Sequence, residues 1–231
     1  MQYSEPTNRT GIVEMIRDRL GTDEEDYAIG FLTQNVNKWF KLLVSDIQEV
    51  DASWQFDDRN LTTLPIESVD IVAGQRDYQL DADTTFIERV EIKQEGGEET
   101  RVLRRIHDQL IGGAIDEVFS TDNQPLYFDL LGDSILLFPT PDYSVDQGLT
   151  LYVRRGPSLF TIDDTTKEPG INALYHDFFV EAGAYEYAKT YKKDIAQGFL
   201  DEAMAIKRRI VKYYARRGGS GRIAGGQRNN K

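Results

Sequence analysis

Apolar side chains recur at helical spacing near both ends of the chain, whereas the long stretch between them alternates apolar and polar residues with a period of two. An amphipathic helix must cover its apolar stripe, and two sets of stripes separated in sequence cover each other most simply by packing together. The predicted fold class is therefore α+β: a four-helix bundle formed by the N- and C-terminal helices, with an inserted antiparallel β domain, either a small sheet or a sandwich. The boundaries read as 1–52 and 168–217 for the bundle, 53–167 for the inserted β domain and 218–231 for a flexible basic C-terminal tail. A length of 231 residues suits one compact domain carrying a sizeable insertion.

In the first helix Ile12, Val13, Ile16 and Leu20 share a face, Thr10 is placed to cap the start, and Gly21 ends it. Thr22 and Glu25 have capping-box spacing ahead of a second, longer helix, in which Ala28, Leu32, Val36, Trp39, Leu43, Ile47 and Val50 form one stripe. A third helix is expected from Ile171 to about Tyr191, with Leu174, Phe178, Ala182 and Tyr185 on one face. Asp194 with Gln197 then resembles another capping box. Ile195, Phe199, Ala203, Ile206, Ile210 and Tyr213 define a fourth helix that stops at Gly218 and Gly219.

In the middle, Ser68–Val72 alternates, and Tyr78 and Leu80 follow a turn at Gly74. Phe86–Lys93 and Thr100–Leu103 flank a hairpin turn at Gly96 and Gly97. Leu126–Leu131 and Ser134–Phe138 flank Gly132 and Asp133, small residues that tolerate the positive φ of a tight turn. Thr150–Arg154 supplies a further strand. Ile106–Val118 suggests a short helix, weakened by Gly112 and Gly113.

Cysteine is absent, so no disulfide, thiolate metal site or cysteine nucleophile exists. His107 and His176 are the only imidazoles, and neither sits in a catalytic motif; His176 reads as a hydrogen-bonded structural histidine. Asp57 with Asp58, Asp81 with Asp83 and Asp163 with Asp164 lack the spacing of a calcium loop and read as turn residues. Gly219, Gly221, Gly225 and Gly226 neither follow a strand nor open a helix, so they do not form a phosphate cradle. No catalytic residue, cofactor or metal site is expected, and the chain does not read as an enzyme. No window is apolar enough for a membrane span, and Met1–Thr10 does not follow the plan of a secretory signal, so a soluble protein without an export signal is expected.

The net charge of −12 conceals an asymmetry. Residues 203–231 hold nine basic side chains and no acidic one, leaving 18 basic against 39 acidic residues in the rest of the chain. Residues 218–231 contain five glycines and, among aliphatics of any size, only Ile223, which cannot build a core. This tail is free to bind a partner, and fully extended it reaches about 45 to 50 Å. The acid excess of the body fits either ordinary solubility charge or a surface that does not retain passing DNA.

Pro125, Tyr127 and Phe128, then Gly132, Asp133 and the run Ile135, Leu136, Leu137, Phe138, Pro139, Thr140, Pro141, resemble a hairpin of head-to-tail connector (adaptor) proteins of tailed bacteriophages, in which a Gly-Asp turn is followed by Pro-x-Pro. In order along the chain, Gly74, Tyr78 and Leu80 are similar to the family's entry into its β region. Leu151, Tyr152, Arg154 and Pro157 are similar to its next strand, and Tyr175 with His176 to the start of its late helix. The resemblance implies a structural virion component of the portal-proximal ring, joining a helical bundle to a β domain. It implies assembly with copies of itself as a ring of about twelve, partners in the portal protein and the next tail or stopper protein, and genomic DNA passing through the lumen without sequence-specific binding. It places the protein at the head–tail interface, assembled in the host bacterial cytoplasm. The C-terminal segments of such adaptors grip the portal, which makes Arg216, Arg217, Arg222, Ile223, Arg228 and Lys231 the candidate portal-binding residues, with Arg222, Ile223 and Arg228 as anchors.

A second reading is a nucleic-acid-binding module. Arg208, Arg209, Lys212, Arg216 and Arg217, with Tyr213 and Tyr214 interleaved, have the chemistry to track phosphates and stack on bases, although the acidic body opposes it. A cytosolic scaffold unrelated to phage is a third.

Overall fold

The structure, a computed structural model, describes residues 1–51, 66–97, 99–106 and 121–219. Helices α1 (Ile12–Leu20), α2 (Ile29–Val50), α3 (Asp177–Tyr191) and α4 (Lys193–Gly219) lie at the two ends, with a 3-10 turn at Ala173–Tyr175. Between them come β1 (Ile66–Ile71), β2 (Asp77–Gln79), β3 (Thr84–Lys93), β4 (Thr100–Val102), β5 (Arg104–Arg105), β6 (Tyr127–Leu131), β7 (Ser134–Phe138) and β8 (Val145–Arg155). The fold is α+β. The chain divides into two compact units, Met1–Thr62 with Pro157–Lys231, and Thr63–Gly156.

In the helical unit, α3 lies against α1, α2 and α4, and α2 also meets α4. All four share one core, to which α1 gives Ile12, Val13, Ile16 and Leu20, and α2 gives Leu32, Val36, Trp39, Phe40, Leu43, Val44 and Ile47. Helix α3 is apolar on more than one side: Phe178, Phe179, Val180, Ala182 and Ala184 are all buried. Burying each phenylalanine contributes about 2 to 3 kcal/mol relative to leaving it in water. Gly183 lets α1 approach, because a Cβ there would stand 2.5 Å from Ile16 Cδ1 and 3.4 Å from Val36 Cγ2.

Several sequence expectations shift at the helix ends. Thr10 does not cap α1; its hydroxyl donates to Glu5, and Gly11 occupies the N-cap position. Gly21 does end α1, in the left-handed conformation at φ 60°, with its N–H returning to Arg17 and Asp18. The Thr22–Glu25 box does not form, because Asp23 accepts the N–H groups of Glu25 and Asp26 and closes a separate turn, so α2 starts at Ile29. Ala28 therefore falls outside the helix, and Val50, its last residue, is exposed. Leu174 sits in the 3-10 turn and is 82 % exposed rather than on the buried face of α3. At the fourth helix, Asp194 lies within the first turn instead of capping it, and Gln197 donates to Asp201. Ile195 is exposed, and Tyr214 rather than Tyr213 is buried in the core. Helix α4 also runs through Gly218 and Gly219, two residues read as tail; continuing i to i−4 bonding offsets the roughly 1 kcal/mol penalty of each glycine.

Two further segments belong to this core unexpectedly. Tyr3 is fully buried, stacks on Phe160 at 4.4 Å and shares a 2.6 Å hydrogen bond with Thr33. Phe160 also stacks on Phe40, and its backbone N–H and carbonyl are held by the Asn37 amide. The chain thus enters the helical unit at Pro157 rather than at residue 168.

The second unit holds two four-stranded sheets, ordered β1-β8-β3-β4 and β2-β7-β6-β5, that share one core of Ile71, Tyr78, Val90, Ile92, Phe128, Ile135, Leu137, Leu149, Leu151 and Val153. All ladders are antiparallel except β5 with β6. Alternate residues of β7 and β8 point inward, as the period of two requires. Gly96, Gly97 and Gly132 take the positive φ of their hairpin turns. Strand β8 begins five residues before the expected Thr150 and β1 two before Ser68; each extends because the other supplies its ladder, with an irregularity near Ile71 and Val145. The helix expected at Ile106–Val118 lies, apart from Ile106, outside the described residues.

Replacing Gly183 by valine drives branched carbons into Ile16 and Val36. The expected result is a loss of about 2 kcal/mol in unfolding free energy, read from urea titration of the helical circular dichroism signal.

Candidate functional site

Helix α4 ends in a strip of cations. Arg209, Lys212, Tyr213 and Arg216 recur at i, i+3, i+4 and i+7, which puts them on one face, and with Tyr175 from the 3-10 turn they line an open groove. The two tyrosine rings lie 5.7 Å apart, and the Tyr213 hydroxyl approaches the Asn172 amide at 3.5 Å. Lys207, two residues before Arg209, is spoken for by an ion pair with Asp46 of α2. Arg208, Arg209 and Lys212 are exposed and make no ion pair among the described residues. Basic side chains in the last turn favour the helix dipole, which accounts for Arg216 but not for cations two turns earlier.

Of the portal-binding candidates, Arg216 lies in this groove and Arg217 belongs to α4; Arg222, Ile223, Arg228 and Lys231 lie outside the described residues. Tyr214, grouped with Tyr213 as a base-stacking residue, is 2 % exposed and packs in the helical core, so it has no face to offer a base. Tyr175 was missed as a groove residue. Its contact with Tyr213 joins positions far apart in sequence, and only the pairing of α3 with α4 brings them together.

The other candidate centres have structural explanations. His176 is buried; its Nδ1 lies 2.9 Å from the Met1 amine and its Nε2 3.1 Å from the Ile171 carbonyl, so a neutral ring accepts from the first and donates to the second. Burial, helped by the nearby ammonium, pushes its pKa below 6.5. His107, Asp57 and Asp58 lie outside the described residues. Asp164 accepts the Thr161 N–H and pairs with Lys167 at 3.7 Å, as a turn residue does. Asp81 and Asp83 also sit about a turn, but there the structure adds Glu67, and the three carboxylates approach within 4.8 Å of one another. Thr84 donates to Glu67 and Arg155 Nε stands 3.9 Å from it, so the one buried member is already engaged.

Two buried carboxylates on α3 are neutralised from neighbouring helices. Arg19 of α1 reaches Glu181 at 3.0 Å, where burial nevertheless raises the carboxyl pKa. At Glu186 burial works the same way, but hydrogen bonds from Lys189, Lys38 and the Trp39 indole outweigh it and hold the carboxyl below its ordinary range.

In the β unit, two of the motifs that carry the phage resemblance, the Gly74–Leu80 entry and the Gly-Asp hairpin, are hydrogen-bonded neighbours. Gly74 N–H donates to the Pro141 carbonyl, Leu80 N–H to the Asp133 carbonyl, and Tyr78 pairs with Ile135 across β2 and β7. The SU10 adaptor protein family profile matches residues 7–225, spanning both units. The chain belongs to the SU10 adaptor family. It is thus a structural head-to-tail adaptor of a phage, as the Gly-Asp hairpin and its companions imply. No individual curated protein matches it. No described helix of this adaptor is long and apolar enough to cross a membrane.

The buried neutral His176 makes stability fall in acid. Its contribution is fully present above the unfolded value near 6.5 and is lost as pH drops from there through the lower folded value. Urea midpoints measured from about pH 7.5 to 5 should decline in the wild type, and His176→Gln should flatten that slope.

Proposed function

We propose that this adaptor is one subunit of a ring of about twelve copies seated under the portal of a tailed phage, with the four helices acting as a bundle that scaffolds the ring. Its C-terminal segment grips the portal through Arg216, Arg217, Arg222, Ile223, Arg228 and Lys231. The ring lines part of the channel for DNA and presents its far side to the next tail or stopper protein. The observation that carries this reading is the match to the adaptor family across both units of the chain. The basic tail after α4 supports the polarity: its cations, in a glycine-rich segment at the end of the chain, suit an acidic acceptor surface. The acid excess elsewhere suits a conduit, since phosphate is not retained by a surface of its own sign. Assembly in the host cytoplasm and residence at the head–tail interface complete the reading.

The groove also favours nucleic-acid binding as a second reading, because exposed cations beside Tyr213 and Tyr175 suit phosphate and a base face. Two measurements separate them. Native mass spectrometry of the protein mixed with its portal should show about twelve adaptors per portal ring, and truncation after Arg217 should reduce attachment by about tenfold or more. Undiminished attachment removes the tail from the mechanism. Titration with short duplex and single-stranded DNA should show no binding at low salt; affinity that falls steeply with salt instead establishes the nucleic-acid module.

A further inference from the structure

The helical unit carries opposite charges at its two ends. Asp23, Glu24, Glu25 and Asp26 are all exposed in the turn ahead of α2, and none of them makes an ion pair among the described residues. This end is fixed to the C-terminal end of α3 and the start of α4: the Tyr27 and Tyr187 rings pack at a tilt, 4.9 Å between centroids, and Lys192 Nζ reaches the Leu20 carbonyl at 2.5 Å. Phe31, two residues into α2, is 69 % exposed, and Tyr191 is 71 % exposed and packs on Tyr187. Helix α4 runs alongside α2 in the same direction, since Lys192 lies beside the end of α1 and Lys207 pairs with Asp46 near the end of α2. The groove of Tyr175, Arg209, Lys212, Tyr213 and Arg216 therefore sits beyond the opposite end of α2. Its 22 residues separate the two by about 33 Å.

That separation exceeds the screening length of about 8 Å several times, so the two ends cannot neutralise one another within one chain. The geometry points to the groove as the receptor for the Asp23–Asp26 turn of a second copy of this chain. The occupant has to be anionic to suit exposed, unpaired Arg209 and Lys212, two groove cations that the portal grip above does not use. An acidic turn with the exposed Phe31 close behind it supplies carboxylates for those cations and an aromatic surface for the tyrosine pair. A contact between two different surfaces of identical subunits is heterologous, the kind that closes into rings when the rotation allows. This inference rests on the ring reading above and names the surfaces through which neighbours meet.

The chain lacks cysteine, which makes the test direct. One variant carries Glu24→Cys, another Lys212→Cys; both positions are exposed, and the two are mixed with portal and treated with a short bis-maleimide. Covalent heterodimers in the assembled ring are the expected result. They should fall by about tenfold when Arg209→Glu is added to the Lys212→Cys chain, and return when Glu25→Lys is also placed in the Glu24→Cys chain. Rings of normal mass without the cross-link overturn the groove as receptor while leaving the ring reading standing. Cross-linking of Lys212→Cys to portal instead of adaptor overturns it as well, and failure of any ring to form on the portal overturns the reading beneath it. Unchanged circular dichroism of each variant guards against misfolding as the cause.

Discussion

Helix α3 has to be covered on several faces at once. Its consecutive run Phe178, Phe179 and Val180, followed by Ala182, Gly183 and Ala184, leaves little polar surface for water, so it is stable only when α1, α2 and α4 surround it. Small residues at 182, 183 and 184 let the neighbours come close, and the two phenylalanines fill the space beyond them against Trp39 and Phe40. Because α1 and α2 come from the start of the chain and α4 from its end, burying α3 is what joins the termini. Tyr3 and Phe160 extend the same core outward and fix the segments that enter and leave it.

Burial on this scale places two carboxylates where an unpaired charge would be strongly unfavourable. Glu181 and Glu186 are each met by cations from other helices, Arg19 and Lys38, and Glu186 also accepts from Trp39. These bonds are directional, unlike the apolar contacts around them, and so they select one rotation of α3 among several that would bury comparable area. Charge is also concentrated at the ends of the unit, acid ahead of α2 and base along the last turns of α4. A protein whose work is to sit between other proteins carries its chemistry on such end surfaces, where charge and exposed aromatic rings recognise partners.

The β unit obeys a different economy. Its two sheets share a core drawn from alternate residues, and its tight turns use Gly74, Gly96, Gly97 and Gly132 at positive φ. Short motifs scattered from Gly74 to Pro141 become meaningful as a set because β2 and β7 are paired, so that one hydrogen-bonded patch contains both the Gly74 turn and the Gly-Asp hairpin. This adjacency explains how short, separated patterns pointed to one family.

Much of this was legible in the sequence, where a physical signal is local. Helical spacing from Ile12 to Ile47 and from Phe178 to Ile210, the glycine hairpins, the alternating strands and the basic C-terminal end are all properties of neighbouring residues. By contrast, the N-terminal limit of α2 depended on Asp23 outcompeting Thr22 for the same amide groups, which spacing alone does not decide. The burial of Tyr3 and Phe160, the approach of Arg19 and Lys38 to α3, and the groove joining Tyr175 to Tyr213 were decided only by tertiary structure. Each is a meeting of residues more than thirty positions apart, and composition and periodicity carry no information about which distant side chains come within contact distance.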